Sequence, residues 1–491
     1  MGGTCTKATT TASLGGRDVS RTRATMVNIE KYGRFLQELP LDGSVVLASM
    51  SEEYQRQRST AHAFVDCGYP FAIFRPHHAR DIALFLQAVG HLKLHIAVAN
   101  GKHSALCLPD NAVVIDLRYI NDIRVNVENK WIDIGGGATT GAADAELRGS
   151  GLAFIASTHP DTGVAGFAQT GGWGWLSRQH GLAIDHWLEA DVVLANGDLV
   201  TATDANEHAP LMRALRGGAG NFGIVTRLRF ALHRVDKCYY SMPLRVCPTL
   251  ASAIKTATAF RDRMDTAPTY AGGMLLLPCG KPYLRQVITA IGAADVVPDT
   301  TWIDSMRHMD AGQWTSTHQT LHSGGYHLGL QGLLAPFSPR GRALTSSIFV
   351  KDLSNAVLRV LLHYTREQLP STSSAIAACA WGGQIPLGDR PHALSHRENG
   401  WWILVHAVLP DLSWYQVTKH KQWVVAVKAA LREVDSTAVQ APHVFFDTIT
   451  RNATAKTRAF DDITHLFLRQ VKTEYDRKNV FHMNHNIRPL V

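Results

Sequence analysis

Long apolar runs, paired cysteines and blocks of like charge are all missing from this chain. With no stretch of about 18 apolar residues, and no basic start followed by an apolar segment, the sequence predicts neither a transmembrane helix nor a secretory signal. The seven cysteines, at 5, 67, 107, 238, 247, 279 and 379, form no Cys-x-x-Cys pair and no group with histidine at zinc spacing. That pattern reads as thiols in a reducing, cytoplasmic compartment, with no metal centre and with the sequon Asn452-Ala-Thr454 silent. Lys and Arg number 49 against 41 Asp and Glu, a net charge of +8, yet no five like charges are contiguous, which argues against a nucleic-acid surface. Scattered basicity serves solubility or the neutralisation of bound phosphates instead. The start, Met1-Gly2-Gly3-Thr4-Cys5-Thr6, fits a short lipidation pattern that is frequent by chance, and the simpler reading is a mobile tail.

What the chain does have is apolar content and glycine. Its 491 residues are 45% hydrophobic, enough to bury a sizeable core in two or three domains. Residues 1–25, rich in Thr, Ser, Gly and Arg without apolar periodicity, read as an arm, with order expected from about Val27. Helical spacing over 81–90 and alternation over 94–99 give a helix and a strand that runs into Gly101-Lys102-His103. Short strands are expected at 112–117, 123–127 and 131–134, then a helix at 140–148. Asn196-Gly197 between 190–194 and 199–201 predicts a hairpin closed by a type I′ turn. A helix at 210–215 and a strand ending at Phe230 complete an α+β region from about 65 to 235. Beyond 236 the helices lengthen (250–265, 354–367, 415–434) and alternate with strands such as 375–380 and 402–408.

Glycine turns let backbone N–H groups converge on anionic oxygens because no Cβ stands in the way. A single such turn is an ordinary tight turn; the order of them carries the information. Arg75-Pro76 is followed by Ala99-Asn100-Gly101-Lys102-His103-Ser104, Gly135-Gly137, His159-Pro160-Asp161-Thr162-Gly163, Gly166, Gly171-Gly172-Trp173-Gly174-Trp175-Leu176-Ser177-Arg178, Gly217-Gly223-Ile224 and a tail with Asn484-His485-Asn486. This series resembles the FAD-cradling segments of the vanillyl-alcohol-oxidase and berberine-bridge-enzyme family, with its Arg-x-Gly-Gly-His-Ser, Gly-Val-Gly-Gly and Trp-Leu-Ser-Arg stretches. The resemblance implies a PCMH-type two-subdomain FAD-binding domain over 26–235, a substrate domain over 236–450 whose antiparallel sheet is roofed by helices, and a C-terminal segment, 451–491, that returns to the FAD domain. It implies FAD held by Asn100, Gly101, Lys102, Ser104, His159, Thr162, Gly163, Gly166, Gly171, Gly172, Gly174, Gly223, Ile224, Asn484 and Asn486, with His103 bonded to the flavin 8α carbon. Lys102 takes the place of a family glycine and either contacts phosphate or points away. His159 stands where bicovalent relatives carry cysteine, so no cysteinyl link is expected.

The chemistry that the resemblance implies is hydride transfer from a small-molecule substrate to flavin N5 while a base takes a proton, with O2 returning the flavin to its oxidised form. Thr162 falls where the family gates oxygen. The base is harder to place. The family's glutamate is missing from Trp381-Gly-Gly-Gln384 through Asp389, His392 and His396-Arg397, so Asp389 or His392 must substitute. Phe445-Phe446-Asp447 replaces a Tyr-x-Asn motif, which removes a phenol and adds the Asp447 carboxylate. Alternation puts Trp402, Leu404, His406 and Val408 on one strand face, where His406 meets the cleft or serves as a hydrogen-bonded core histidine. Tyr326 and His327 are further candidates without a motif. The expected activity is oxidation of a natural-product alcohol, phenol-activated or amine carbon, ring closure included. The alternative is a redox-neutral, pericyclase-like cyclase on the same scaffold. The sequence does not state an oligomeric state.

Overall fold

A computed structural model describes residues 19–49, 51–59, 63–64, 67–235, 237–292, 319–321, 342–395, 397–438 and 460–490. Asp447, Tyr326, His327 and His396, named above, lie outside the described residues. The first helix, Val19–Gln37, begins inside the stretch expected to be a mobile arm. It packs on the strand Gly43–Leu47 and inserts Leu36 into the first core.

Two sheets build the N-terminal region. The first has four strands in the order Gly43–Leu47, Ala72–Pro76, Ala112–Asp116, His95–Ala99, with an antiparallel first pair and two parallel pairs after it. The helix Ala79–Val89 buries Ile82, Phe85, Leu86 and Val89 at the predicted spacing, and Phe74 stacks on Phe85 with ring centroids 4.9 Å apart. The second sheet is antiparallel throughout, in the order Leu199–Thr203, Trp187–Val193, Ile224–Ala231, Trp131–Gly135, Ile123–Asn126. Its hairpin differs from expectation: Gly197 has φ +87°, but Asn196 is not among the left-handed residues. Asn196 Oδ1 accepts from the Asp198 N–H at 3.0 Å, and the Gly197 N–H donates to the Leu194 carbonyl at 2.9 Å. The turn is thus type I with a left-handed glycine after it, because the asparagine side chain stabilises an ordinary φ at its own position.

The C-terminal region is built on a nine-stranded sheet in the order Gln319–Leu321, Lys237–Ser241, Tyr283–Gly292, Ala271–Pro278, Ala375–Trp381, Gly400–Leu409, Arg342–Val350, Ala63–Phe64, with Leu244–Val246 also on Tyr283–Gly292. Every pair is antiparallel except the last, in which a segment from the N-terminal third joins the far edge in parallel. One face is mostly apolar (Leu275, Leu277, Ile288, Leu344, Ile348, Ile376, Ile403, Val405), interrupted at Ser346, whose hydroxyl accepts from the buried Lys428 ammonium at 3.0 Å. This face is covered by the helices Leu250–Asp265, Asn355–Arg366 and Trp414–Val434. The opposite face (Met274, Leu276, Val287, Phe349, Ala377, Cys379, Trp381, Trp402, Leu404) shares one core with the N-terminal region. Period-2 alternation sorts these two sets, so the inner face, which carries His406, is fixed once the outer face is given to the helices.

The chain then returns. Helix Asp462–Tyr475 buries Lys472, whose ammonium donates to Asp476 at 2.7 Å and to the carbonyls of Asn221 at 2.7 Å and Phe481 at 3.0 Å. Breaking one member of such a buried charged set leaves the other charge uncompensated, so the clamp fixes where residues 481–486 sit. Among the described residues no helix is long and apolar enough to cross a membrane, and none of the six described cysteines is in a disulfide.

Candidate active site

A cleft opens between the ends of the first sheet, the turn that follows the Ala209–Leu215 helix, and the returning tail. Its cavity volume is about 120 Å³, and Asn100, Ser104, Gly166, Gln169, Gly220, Gly223, Ile224 and Asn484 are among its lining residues. Gly166 and Gly220 present bare backbone to it: a Cβ built on either meets no atom within 4 Å, so a side chain there would project into the cavity. Gln169 Oε1, Asn484 Oδ1 and, beside the cavity, Asn486 Oδ1 are buried without a protein partner. Orphaned acceptors cost free energy unless a bound group supplies donors. A glycine-floored cavity with unmet amide oxygens suits the pyrophosphate, ribityl chain and ring edge of a flavin dinucleotide, so these residues fit FAD.

At one end of the cavity two glycines let two chain segments touch. A Cβ on Gly101 would overlap the Gly163 nitrogen and the Asp161 carbonyl, and one on Gly163 would overlap Asn100 and the Gly101 nitrogen. Asn100 ties the same junction to the next turn, donating to the Gly136 carbonyl at 2.6 Å and the Ala138 carbonyl at 3.2 Å. This contact brings His103 to Asp161, with Nε2 and Oδ1 3.1 Å apart, and sets its ring 6.1 Å from that of His159. Thr162 is held by its hydroxyl donating to Ser157 Oγ at 3.0 Å.

Above this junction the inner sheet face supplies His406. Its Nδ1 lies 3.2 Å from the Thr345 hydroxyl, the residue facing it across the strand pair. Burial, and then the nearby His159, pushes His406 down to about 4. Burial, with His103 next, does the same for His159, also to about 4. The structure thus brings His103, His159 and His406 into one group with Asp161 and Thr345, neither of which the sequence pattern marks. Near them Trp173 and Trp175 of the glycine turn meet the sheet. Trp173 and Trp402 pack edge to face with centroids 5.6 Å apart, and Trp381 lies 6.5 Å from Trp402. The indole N–H groups of Trp173 and Trp175 are buried without a protein partner. Only the tryptophan-rich spelling of the motif hinted at this wall.

Several predicted residues take other places. Lys102 does not line the cavity; its ammonium pairs with the fully buried Asp116 at 2.9 Å and donates to the Gln57 carbonyl. Of the two orientations open to it, the side chain takes the one that points away. Its backbone still has φ +56°, a left-handed value that favours glycine, and the buried ion pair offsets that cost. Gly171, Gly172 and Gly174 are required by packing: the first two have φ +102° and +76°, and a Cβ on Gly174 would overlap the Ala156 carbonyl. His392 stands apart from the histidine group. It lies in a clasp fixed by Arg397 to Asp185 at 2.7 Å and Arg390 to Asp204 at 2.9 Å. Its Nδ1 accepts from the Leu394 N–H at 3.1 Å, and burial together with Arg397 pushes it down to about 4. His392 thus sits among the arginines of the clasp, apart from the histidine group.

Comparison with known proteins agrees with this geometry. Residues 70–203 match the FAD binding domain family, and residues 466–488 match the family described as berberine and berberine like. An FAD-linked oxidoreductase of Dictyostelium discoideum is 24% identical over 91% of this chain and 95% of its own length. The (R)-6-hydroxynicotine oxidase of Paenarthrobacter nicotinovorans is 31% identical over 40% of this chain, which spans less than half, 43%, of that relative. Glucooligosaccharide oxidase from Acremonium strictum, whose structure carries a 6-S-cysteinyl, 8α-N1-histidyl FAD, shares the fold with a TM-score of 0.79 at 19% identity, over 96% of this chain and all of that one. The glycine-floored cavity, the FAD-domain match across it and the berberine-like match at the returning tail lead to one conclusion: this chain carries an FAD binding domain over residues 70–203 and a berberine-like segment over residues 466–488, and is similar to FAD-linked oxidoreductases.

Proposed function

We propose that the protein is an FAD-dependent oxidase of a secondary-metabolite intermediate, acting on an alcohol, phenol-activated or amine carbon, with His406 as the base. The observation that carries this reading is the half-buried His406 on the inner sheet face, near His159 and beside the Thr345 hydroxyl, with its proton affinity pushed down. Bound FAD supplies the two-electron acceptor and its return to the oxidised state by O2, which yields H2O2.

The chain's own residues have three tasks. Backbone at Gly166 and Gly220, with Asn100, Ser104, Gln169 and Asn484, holds the cofactor. The tryptophan wall excludes water and sets the plane of a flat substrate. His406 takes the substrate proton: with Nδ1 held by Thr345, Nε2 is the nitrogen left for it, and the depressed proton affinity keeps its lone pair available through neutral pH.

Across the strand pairs the inner face near His406 presents the hydroxyls of Thr345 and Ser347, which suit a hydroxylated or amine substrate. The test is a panel of alcohols, phenols and amines scored for H2O2 release, followed by anaerobic reduction kinetics. His406→Gln is expected to slow flavin reduction by about 10²-fold or more, the size of a lost general base, with cofactor content unchanged. Reduction at the wild-type rate would move the base elsewhere. Product formed without O2 and without flavin reduction would favour the redox-neutral cyclase.

A further inference from the structure

We propose that the His95–His482 pair positions the tail wall of the cofactor cavity, and that it makes the affinity for FAD fall as the pH drops. This rests on the FAD cavity and not on which substrate is oxidised. His95 Nδ1 and His482 Nε2 are 3.0 Å apart, with ring centroids 5.2 Å apart and planes at 74°. His95 opens the strand whose residues 96–99 line the cavity, and His482 stands between Phe481 and Met483, which line it from the returning tail. The pair thus joins two walls of one cavity. The tail's other anchors lie on either side of it: Asp476 accepts from the Phe481 N–H at 2.9 Å, Asn484 Nδ2 donates to the Gly220 carbonyl at 2.6 Å, and Asn221 Nδ2 donates to the His485 carbonyl at 3.3 Å. Losing the pair therefore shifts the wall at residues 482–484 while the tail stays attached.

Hydrogen bonding fixes the tautomers. His482 Nδ1 lies 2.9 Å from the Asn479 carbonyl, which can only accept, so Nδ1 carries the proton and Nε2 offers a lone pair. His95 Nδ1–H therefore donates to His482 Nε2. A first proton, on His95 Nε2, leaves this bond intact; a second, on His482 Nε2, sets two N–H groups and two positive charges face to face. Neighbouring groups do not relieve that repulsion. Ala112 stands opposite His95 across the strand pair, and Asp116 stands opposite Ala99 at the far end, paired with Lys102. Cys107 of the adjoining Ala105–Cys107 turn stays uncharged, because burial pushes its thiol up to about 12, and on the tail side Asp476 is paired with Lys472. Burial, and then His482, holds His95 below the usual histidine value. The doubly charged pair is thus reached only below about pH 6.5. Since the paired form binds fewer protons than the separated one, acid favours separation.

The experiment titrates apoprotein with FAD, followed by flavin fluorescence, at about pH 7.5 and about pH 5. All proteins carry His103→Ala so that binding stays reversible, and the parent is compared with His95→Ala and His482→Gln. The parent is expected to lose affinity by about threefold or more between the two pH values, the size of one lost hydrogen bond. His95→Ala, without the pair, is expected to bind about threefold more weakly at the higher pH and to lose little more on acidification. His482→Gln keeps an acceptor where Nε2 stands but cannot take the second proton, so it is expected to bind like the parent at the higher pH and to keep that affinity in acid. Equal affinity of the parent at both pH values, or the same acid loss in all three proteins, overturns the proposal. A parent and wild type that both take up no FAD overturn the cavity assignment and the proposal with it.

Discussion

Three histidines outside the active site make the fold acid-sensitive in a way that one substitution can isolate. His180, at the end of the short helix Ser177–His180, stacks on His233 with ring centroids 4.0 Å apart and planes 22° apart. His186 meets the same ring edge-on at 4.2 Å, and its Nε2–H donates to the His180 carbonyl at 2.7 Å. Burial pushes His180 down to about 4, with His186 adding to the effect. Burial, then His180 and His186, pushes His233 lower still, and burial lowers His186, with Asp185, Asp389 and Arg390 the charged groups around it. Folded-state values below the unfolded value near 6.5 mean that the unfolded chain takes up protons first. Stability is then complete above about pH 6.5 and is lost as the pH falls from there toward 4. For His180 the linkage relation gives a loss of about 2 kcal/mol at pH 5, and His233 contributes a similar amount. Set against a typical stability of about 5–15 kcal/mol, that lowers the thermal midpoint by several degrees. His233→Phe keeps an aromatic ring in the stack and removes one titrating group and its repulsion of His180. The assay is the thermal midpoint of wild type and His233→Phe from pH 7.5 to 5, with cofactor content held constant. The variant is expected to lose less stability on acidification than wild type, by about 2 kcal/mol at pH 5. Identical pH dependence in the two proteins would refute the reasoning.

Two further outcomes follow from the cavity. Gly166→Leu projects a side chain into space now open to the bound group, so the protein should fold with an unchanged midpoint in its apo form while its affinity for FAD falls by at least tenfold, read by titration of flavin fluorescence. Thr162→Ile, at the position that the family resemblance assigns to oxygen access, is expected to slow reoxidation of the reduced flavin in stopped flow and to leave its reduction unchanged; reoxidation at the wild-type rate would remove Thr162 as the gate.

The sequence carried those parts of the fold that depend on local periodicity and on backbone freedom. The helices Ala79–Val89, Asn355–Arg366 and Trp414–Val434 follow from apolar spacing, and the inner placement of Trp402 and Leu404 follows from alternation. The unusual order of Gly101, Gly163, Gly166 and Gly223 marked them in the sequence; the first two let two segments touch, and the last two line the cavity. What escaped depends on contacts between distant segments. Neither Lys102 with Asp116 nor His103 with Asp161 has a sequence signature, since each needs a specific pair of turns to meet. The His180 and His233 stack arises only when His233–Arg234 pairs with Leu152–Ala153 beside the helix that ends at His180. The place of His392 was not legible because a polar loop near a domain junction looks the same in sequence whether it lines a cleft or clasps two segments; the arginine and aspartate partners form the clasp.

The central claim is that the cavity floored by Gly166 and Gly220 holds a flavin that an organic substrate reduces and O2 reoxidises. The most direct measurement is the visible absorption spectrum of the purified protein, recorded before and after anaerobic addition of an accepted substrate and again after air is admitted. The account predicts a flavin spectrum near one equivalent per chain, bleached by substrate and restored by air with release of H2O2. A colourless protein that takes up no FAD on incubation would contradict it.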